Sequence, residues 1–206
     1  MKYYDIFSYL YDLLAPDWYY HKPRKFAIEK LDFKKNSNII VLPCGTGQSF
    51  KYLKNQLKSN GLIIGIDYSE GMLTKARKKI RKKGWDNIIT LHEDAARFNK
   101  SDIASISEEE LNIDAIYLEL GLSAMPEWQK VIDKSLSLVR VGGKIVIMDW
   151  YMEELNLWGR FIDLIGNADV TRPTWEYLKS RKEVKDFNLN HSFKNGGVFV
   201  ASGYKV

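Results

Sequence analysis

The sequence predicts one α/β domain with a doubly wound, mostly parallel sheet. Short, wholly apolar runs such as NIIVL, LIIGI and KIVIM are typical of strands buried on both faces, as in parallel sheets. Amphipathic stretches of helical period lie between these runs, and such alternation forms right-handed βαβ units with helices on both sides of the sheet. A chain of 206 residues, 45% of them hydrophobic, is long enough for one domain with a substantial core.

The alternation defines seven strands and their connecting helices. The predicted strands are Asn38–Leu42, Leu62–Asp67, Asn87–Leu91, Asp114–Leu118, Lys144–Asp149, Lys185–His191 and Gly197–Tyr204. The predicted helices between them are Gln48–Leu57, Glu70–Arg81, Glu127–Val139 and Thr174–Arg181. The Asn-Gly-Gly run at 195–197 predicts a hairpin between the last two strands. Two more helical segments, at roughly 3–14 and 23–31, precede the first strand and are expected to cover the mouth of a site.

Composition excludes several classes of protein. The single cysteine, Cys44, rules out an internal disulfide and a cysteine-based metal cage, and it fits a reducing compartment. No stretch reaches the roughly 20 apolar residues of a membrane-spanning helix. The N-terminus lacks the basic head and apolar run of a signal peptide. We therefore expect a soluble, cytoplasmic protein without a metal site.

The net charge of +5 is concentrated in one segment. LTKARKKIRKKG, at 73–84, holds seven basic residues and no acidic one. A solvated helix face explains this segment, and a patch for anionic lipid headgroups or nucleic acid is the alternative. The sequence shows no stacked-aromatic RNA motif and no zinc-finger spacing, so nucleic acid is not expected as a partner.

A strand, a tight glycine-containing loop and a helix follow one another in NIIVLPCGTGQSF. Small residues in such a loop let the backbone approach a ligand, and the following helix offers unpaired N–H groups. It is not a phosphate-binding loop, because no lysine follows Gly47. It is not a dinucleotide fingerprint either, because Phe50 stands in place of the third glycine. Taken alone, the loop is equally well explained as a structural turn.

An acidic residue, Asp67, ends the second strand, twenty residues after Gly47. At this distance, on the tip of the neighbouring strand, a carboxylate is placed to accept hydrogen bonds from both hydroxyls of a ribose. The alternative is that Asp67 caps the following helix. Ser69 is a suitable cap, however, which leaves Asp67 available for a ligand.

A second acidic residue, Asp94, follows the third strand in LHEDAARF. A carboxylate here is placed to accept from the exocyclic amine of an adenine, with Ala95 offering a backbone N–H. Tyr68 and Met72 are candidates for the apolar faces that enclose the ring. A loop aspartate without a ligand is the simpler alternative for Asp94.

These motifs stand in the order CGTG, GIDYSEGML, EDA, NIDAIYLELGLSAMPEW and LVRVGGKIVIMD between Asn38 and Trp150. In this order and spacing, the chain resembles class I S-adenosylmethionine-dependent methyltransferases, and among them the ubiquinone/menaquinone-biosynthesis (type 11) group. The resemblance implies a Rossmann-like sheet of seven strands whose last strand is antiparallel. It also implies S-adenosylmethionine as the cofactor, and a turn at Val141–Gly143 before the fifth strand.

The resemblance further implies which residues contact the cofactor. The counterpart of Asp67 holds the ribose, and those of Asp94 and Ala95 hold the adenine. The glycine loop borders the methionine part, the segment after the fourth strand lines the floor near the sulfonium, and Tyr11 reaches the cofactor from the N-terminal cover. The predicted cofactor-binding residues are therefore Pro43, Cys44, Gly45, Thr46, Gly47, Asp67, Tyr68, Met72, Asp94, Ala95, Leu118, Glu119 and Tyr11.

The chain departs from this family at two positions of the glycine loop. Val41 stands where the family carries an acid that helps to orient the loop and the cofactor's amino group. The resemblance therefore implies either weaker binding or transfer of this role to Glu119 or to an N-terminal tyrosine. Pro43 replaces a glycine, which fixes one φ angle and removes one donor, and this is compatible with a pre-set loop.

The sequence predicts methyl transfer from S-adenosylmethionine to a small-molecule or lipid acceptor, and peripheral contact with a membrane is compatible with this. We expect three parts of one domain: a helical cover at 1–35, a cofactor-binding core at 36–150, and a substrate-side insertion with a C-terminal hairpin at 151–206. Methyl transfer depends on alignment and exclusion of water. No catalytic residue is therefore assigned, and His21 is the candidate where an acceptor needs a base.

Three alternatives stay open at this point. A relative that binds S-adenosylmethionine without catalysis would share every motif above. A nicotinamide-dependent oxidoreductase shares the glycine loop and Asp67, but the third glycine and a lysine four residues after a tyrosine are missing. Within the insertion, Arg172 is a candidate to meet a phosphate, and a helix that starts at Pro173 explains the same residues without a ligand.

Overall fold

The computed structural model describes residues 12, 15–57, 61–106 and 111–206. The helix predicted at 3–14, apart from Asp12, and the predicted site residue Tyr11 lie outside these ranges. Strands β1 to β7 span Asn38–Leu42, Ile63–Asp67, Ile88–His92, Ile113–Glu119, Val139–Trp150, Val184–Phe193 and Val198–Lys205. Helices α1 to α7 span Asp17–Lys30, Phe50–Leu57, Glu70–Lys83, Lys100–Ala104, Trp128–Leu138, Leu157–Gly166 and Thr174–Ser180.

The strands form one seven-stranded sheet in the order β3-β2-β1-β4-β5-β7-β6. Strands β1 to β5 pair in parallel, whereas β7 runs antiparallel to both of its neighbours, β5 and β6. A short turn at 194–196 joins β6 to β7, with Asn195 and Gly196 at positive φ. The predicted doubly wound sheet, its antiparallel last strand and its terminal hairpin are therefore confirmed.

The core lies on both faces of the sheet because alternate residues of each strand point to opposite sides. On β1, Ile40 and Leu42 pack on one face and Ile39 and Val41 on the other, and all four are fully buried. Side chains of α4, α5 and α7 cover the first face. Side chains of α1, α2 and α3 cover the second. This double layer leaves the ends of the central strands as the place where loops form a site.

Helix α1 begins six residues earlier than the segment predicted at 23–31, and it contains Pro23 in its interior. A proline normally interrupts a helix, which is why the prediction begins at that residue. Here the buried residues Tyr20, Ala27 and Ile28 anchor the helix on both sides of the proline. Tertiary packing outweighs the local cost of Pro23.

Strand β5 begins at Val139, before the start predicted at Lys144. Its pairing with β4 jumps from Val139 to Lys144, so the segment between them bulges out of the ladder. The turn implied at Val141–Gly143 is therefore wrong as a separate element, because these residues form an irregular part of the strand. Gly142, at φ 75°, supplies the positive φ that this bulge requires.

Two helices were not predicted. Helix α4 has only five residues, too few for a periodic pattern, but a capping box of Asn99 and Asp102 marks its start. Helix α6 is capped by Asn156, which accepts from the backbone N–H of Gly159 at 2.8 Å, and it ends at Asn167 in the left-handed conformation. Across the ranges that the structure describes, no helix combines the length and apolarity needed to cross a bilayer.

Candidate cofactor site

A cavity of about 660 Å³ lies at the carboxyl ends of β1 to β4. The strand order reverses between β1 and β4, and doubly wound sheets bind ligands at such a reversal. The volume falls within the range of pockets for small ligands and cofactors. Its lining residues are Arg24, Leu42, Pro43, Cys44, Gly45, Thr46, Gln48, Asp67, Tyr68, Ser69, Met72, Glu93, Asp94, Ala95, Glu119, Leu120, Gly121, Ala124, Met125, Pro126 and Asn167.

The structure brings most of the predicted cofactor-binding residues together in this lining. They are Pro43, Cys44, Gly45, Thr46, Asp67, Tyr68, Met72, Asp94, Ala95 and Glu119. Gly47 and Leu118 are not part of the lining. Gly47 lies behind the loop, against the ring of Phe50, and Leu118 is 1% exposed within the core.

The glycine loop requires its glycines for different physical reasons. Gly45 and Gly47 both have positive φ, at 52° and 74°. A Cβ on Gly47 would lie 2.6 Å from the ring of Phe50, and a Cβ on Gly65 of β2 would meet the same ring at 2.6 Å. Phe50, which broke the dinucleotide pattern in the sequence, thus packs against two glycines and supports the loop from below.

Asp67 is 7% exposed and joins the tips of two strands. Its Oδ2 accepts from the backbone N–H of Gly45 at 2.7 Å, and its Oδ1 accepts from that of Ser69 at 2.9 Å. Ser69 caps α3 by accepting from the N–H of Met72 at 3.2 Å, as predicted. Both oxygens of Asp67 therefore accept a hydrogen bond from the protein itself. Each of its oxygens still has a second lone pair for a ribose hydroxyl.

Burial has a large effect on the protonation of this carboxyl group. Desolvation raises the pKa of Asp67 from 3.8 to about 6, although the N–H groups of Ser69 and Gly45 act in the opposite direction. The group is therefore mostly ionised at neutral pH, and it becomes protonated in mildly acidic solution.

The end of the cavity that follows β3 is more open. The Oδ1 of Asp94 accepts from the N–H of Ala96 at 2.8 Å, which orders the turn after β3, and the side chain of Asp94 is 38% exposed. Tyr68 is exposed at its rim, whereas Met72 is buried beneath it. A carboxylate, a backbone turn and the side chains of Tyr68 and Met72 thus line this end of the cavity.

A buried charge cluster lines another part of the cavity. Arg24, 1% exposed, donates through Nε to Glu119 Oε1 at 2.5 Å and through Nη1 to Asp17 at 2.7 Å. Gln48 donates through Nε2 to Asp12 at 2.8 Å and to the carbonyl of Ala15 at 2.9 Å. Its Oε1 is buried and has no hydrogen-bond partner among the described residues.

The sequence analysis missed Arg24 and Gln48 as site residues. A signal for Arg24 existed, because it occupies the same helical stripe as the apolar residues Tyr20, Ala27 and Ile28. An arginine in such a stripe is buried only where it has partners, and one of the two partners here, Glu119, is distant in the sequence. No pattern in the sequence indicates that Gln48 lines the cavity.

Two other candidate residues lie elsewhere. The Nδ1 of His21 lies 3.0 Å from the hydroxyl of Tyr52, and His21 is not part of the cavity lining. Arg172 donates through Nη1 to the carbonyls of Leu122 and Met125 at 3.1 and 3.0 Å, and its Nη2 lies 3.4 Å from Asp169. These contacts favour the structural interpretation of Arg172 over a phosphate site.

In the described part of the chain, no group of three or more His, Cys, Asp or Glu side chains is arranged for a metal ion.

Comparison with known proteins identifies the family. Residues 33–188 match the family model described as a methyltransferase domain. The chain belongs to this family. The methyltransferase is 23% identical over 185 residues to a demethylmenaquinone methyltransferase of Oceanobacillus iheyensis, covering 84% of this chain and 74% of that protein. A demethylmenaquinone methyltransferase of Shouchella clausii is 26% identical over 126 residues, covering 61% of this chain and 50% of that protein.

The fold of the methyltransferase also occurs in solved structures. A SAM-dependent methyltransferase from Aquifex aeolicus superimposes with a TM-score of 0.69 at 16% identity, covering 97% of this chain and 98% of that one. The Rossmann-like methyltransferase fold is thus shared over nearly the whole length. The protein is an S-adenosylmethionine-dependent methyltransferase of the class that includes the menaquinone-biosynthesis group.

Proposed function

We propose that this methyltransferase binds S-adenosylmethionine in the cavity at β1 to β4 and transfers its methyl group to a small-molecule or lipid acceptor. One observation carries the proposal. A single cavity joins the glycine loop after β1, Asp67 after β2, Asp94 after β3 and Glu119 at the end of β4. The demethylmenaquinone methyltransferases named above support an acceptor of the quinone-precursor kind.

The residues present fit the proposed cofactor. Asp67 would accept from the ribose hydroxyls with the second lone pairs of its oxygens. Tyr68 and Met72 would enclose the adenine, and the turn at Asp94 and Ala95 would bind its edge. The Oε1 of Gln48, buried without a partner in the described chain, would gain one from a bound ligand.

Bound S-adenosylmethionine supplies an electrophilic methyl group. The chain's own residues align this group with the acceptor and exclude water, which together account for much of the acceleration in such reactions. Leu120 and Gly121 would form the floor under the reacting atoms. The floor is close-packed, because a Cβ on Gly121 would lie 2.4 Å from Pro43.

We place the acceptor in a neighbouring pocket of about 400 Å³. This pocket shares Ala124, Met125, Pro126 and Asn167 with the cofactor cavity. Its remaining lining comes mostly from the segment at 163–172, which supports the proposed substrate-side role of 151–206. The division into parts at 1–35, 36–150 and 151–206 stays a prediction.

The purified protein is expected to bind S-adenosylmethionine and S-adenosylhomocysteine with micromolar Kd or tighter, and not to bind nicotinamide dinucleotides. Isothermal titration calorimetry tests both statements. Absence of binding at millimolar cofactor would overturn the cofactor assignment.

Labelled cofactor, incubated with lipid, soluble-metabolite and RNA fractions of a cell extract, tests the acceptor. Label in the lipid or metabolite fraction is expected, whereas label confined to RNA would contradict the acceptor class.

The affinity for S-adenosylhomocysteine is expected to fall as the pH decreases through about 6. The ribose hydroxyls donate to the ionised form of Asp67, and burial raises the pKa of Asp67 to about 6. Above this pH, Asp67 is ionised and the affinity is at its maximum. Below it, the affinity falls by at most about tenfold for each pH unit. Calorimetric titrations from pH 5 to 8 measure the profile. The Asp67→Asn variant is the control, and an equal pH dependence in that variant would exclude Asp67 as the cause.

A further inference from the structure

The cavity is lined by acidic residues at the tips of two different strands. Asp67 stands at the tip of β2 and Glu119 at the tip of β4, with β1 between them. Adjacent strands lie about 4.8 Å apart, so these tips are separated by roughly 10 Å. If Asp67 holds the ribose, as the proposed function requires, the amino-acid end of the cofactor lies towards β4 and the helix that covers it.

Strand β1 offers no carboxylate to this end of the cavity. Val41 is fully buried in the core, between Gly65 of β2 and Tyr117 of β4. Glu119, two residues after Tyr117 on the next strand, lies in the cavity lining instead. At this end of the cavity, β4 therefore supplies a carboxylate that β1 does not.

Arg24 and Glu119 present two opposite charges side by side. Both residues line the cavity, and the side chains are only 2% and 7% exposed. A buried ion pair is costly to desolvate, and it becomes favourable where further polar partners complete it. An α-amino acid group carries an ammonium and a carboxylate on one carbon, so it is complementary to such a pair.

Gln48 adds an acceptor of fixed orientation. Its Nε2 donates to Asp12 and to the carbonyl of Ala15, and neither of these groups can donate in return. These bonds determine which amide atom is the oxygen. The buried Oε1, which lacks a described partner, therefore requires a donor, and an ammonium N–H supplies one.

We propose that Glu119 and Gln48 bind the α-ammonium group of the cofactor's methionine and that Arg24 binds its α-carboxylate. This assignment rests on the proposed function and extends it to the amino-acid end of the ligand. It makes the N-terminal helix α1 part of the cofactor site through Arg24. The three side chains are positioning residues, since they hold the donor without contacting the transferred methyl group.

Two ligands separate the amino-acid end from the nucleoside end. S-adenosylhomocysteine contains both, whereas 5′-methylthioadenosine keeps the adenosine and the thioether without the amino-acid group. Calorimetry of both ligands with wild type, Glu119→Gln and Gln48→Met is the test. Each variant is expected to weaken S-adenosylhomocysteine binding about tenfold and to change methylthioadenosine binding less than about twofold. Glu93→Gln, which neutralises another carboxylate of the lining, is the control and should leave the ratio of the two affinities unchanged.

Arg24 needs a test that does not depend on removing a buried charge. The decarboxylated analogue of S-adenosylhomocysteine lacks only the carboxylate, and the wild type should bind it about tenfold more weakly than the parent ligand. Arg24→Lys should reduce this preference, with its melting temperature as the check on folding.

Equal wild-type affinity for the parent and decarboxylated ligands would overturn the role of Arg24. Equal losses for both nucleosides in Glu119→Gln and Gln48→Met would overturn the ammonium site. Failure of the wild type to bind either nucleoside would instead overturn the proposed function.

Discussion

The Asp67→Ala variant is expected to bind S-adenosylhomocysteine about ten- to a hundredfold more weakly than the wild type. The ribose hydroxyls would lose their charged acceptor, and this loss is expected to cost about 1.5–3 kcal/mol of binding free energy in total. The backbone of Gly45 would also lose the acceptor that holds it at 2.7 Å, so the glycine loop would be less ordered. Calorimetry measures the loss, and an unchanged Kd would contradict the ribose assignment.

The same substitution should change the free energy of unfolding by less than about 1 kcal/mol at pH 7, because two effects oppose each other. The N–H groups of Gly45 and Ser69 lose a buried acceptor, at about 1–3 kcal/mol in total. Removal of the carboxylate also relieves its desolvation, which is the main reason that the pKa of Asp67 is raised, and this gain offsets much of the loss. Urea denaturation measures the balance. A sharp fall in stability with unchanged affinity would show that Asp67 has a purely structural role.

The Gly47→Ala variant is expected to lose about 2–5 kcal/mol of stability. A residue with a Cβ pays about 1–2 kcal/mol at positive φ, and Gly47 has φ 74°. Its Cβ would also lie 2.6 Å from the buried ring of Phe50, and such overpacking costs about 1–3 kcal/mol. Since the loop must shift to relieve this contact, cofactor affinity should fall as well.

Gly84→Ala is the matched control for this variant. Gly84 has φ 62° at the end of α3, and an added Cβ there would meet no atom within 4 Å. It therefore carries the conformational cost of about 1–2 kcal/mol without the clash. Chemical denaturation of both variants isolates the contribution of Phe50, and equal losses would show that the contact with Phe50 contributes nothing.

The sequence predicted the part of the molecule in which a local pattern and its tertiary environment agree. The runs NIIVL and LIIGI are apolar at every position after Asn38 because both faces of the sheet are covered, and their ends therefore mark the strand tips. Asp67 and Asp94 were found as candidates because a polar residue after such a run lies at the rim of the sheet. Their placement in one cavity follows from the strand order alone.

The buried charge cluster of Arg24 and Glu119 could not be predicted from the sequence. Arg24 and Glu119 are separated by 95 positions, and no periodicity connects them. Helix α1 lies outside the repeating βαβ unit, so no sequence rule states which strand ends it covers. The bulge in β5 escaped prediction for a related reason, because the pairing of Val139 with β4 is a long-range contact.

The segment Leu122–Met125 is held by hydrogen bonds from two parts of the molecule. Asp149, at the end of β5, accepts from the N–H and hydroxyl of Ser123, both at 2.9 Å. Arg172 holds the carbonyls of Leu122 and Met125 from the opposite direction. This segment forms part of the partition between the two pockets, and it is clamped to the sheet on one side and to the insertion on the other. In the proposed arrangement, this hydrogen-bonded segment would set the distance between donor and acceptor, and catalysis would not depend on a moving lid at this wall.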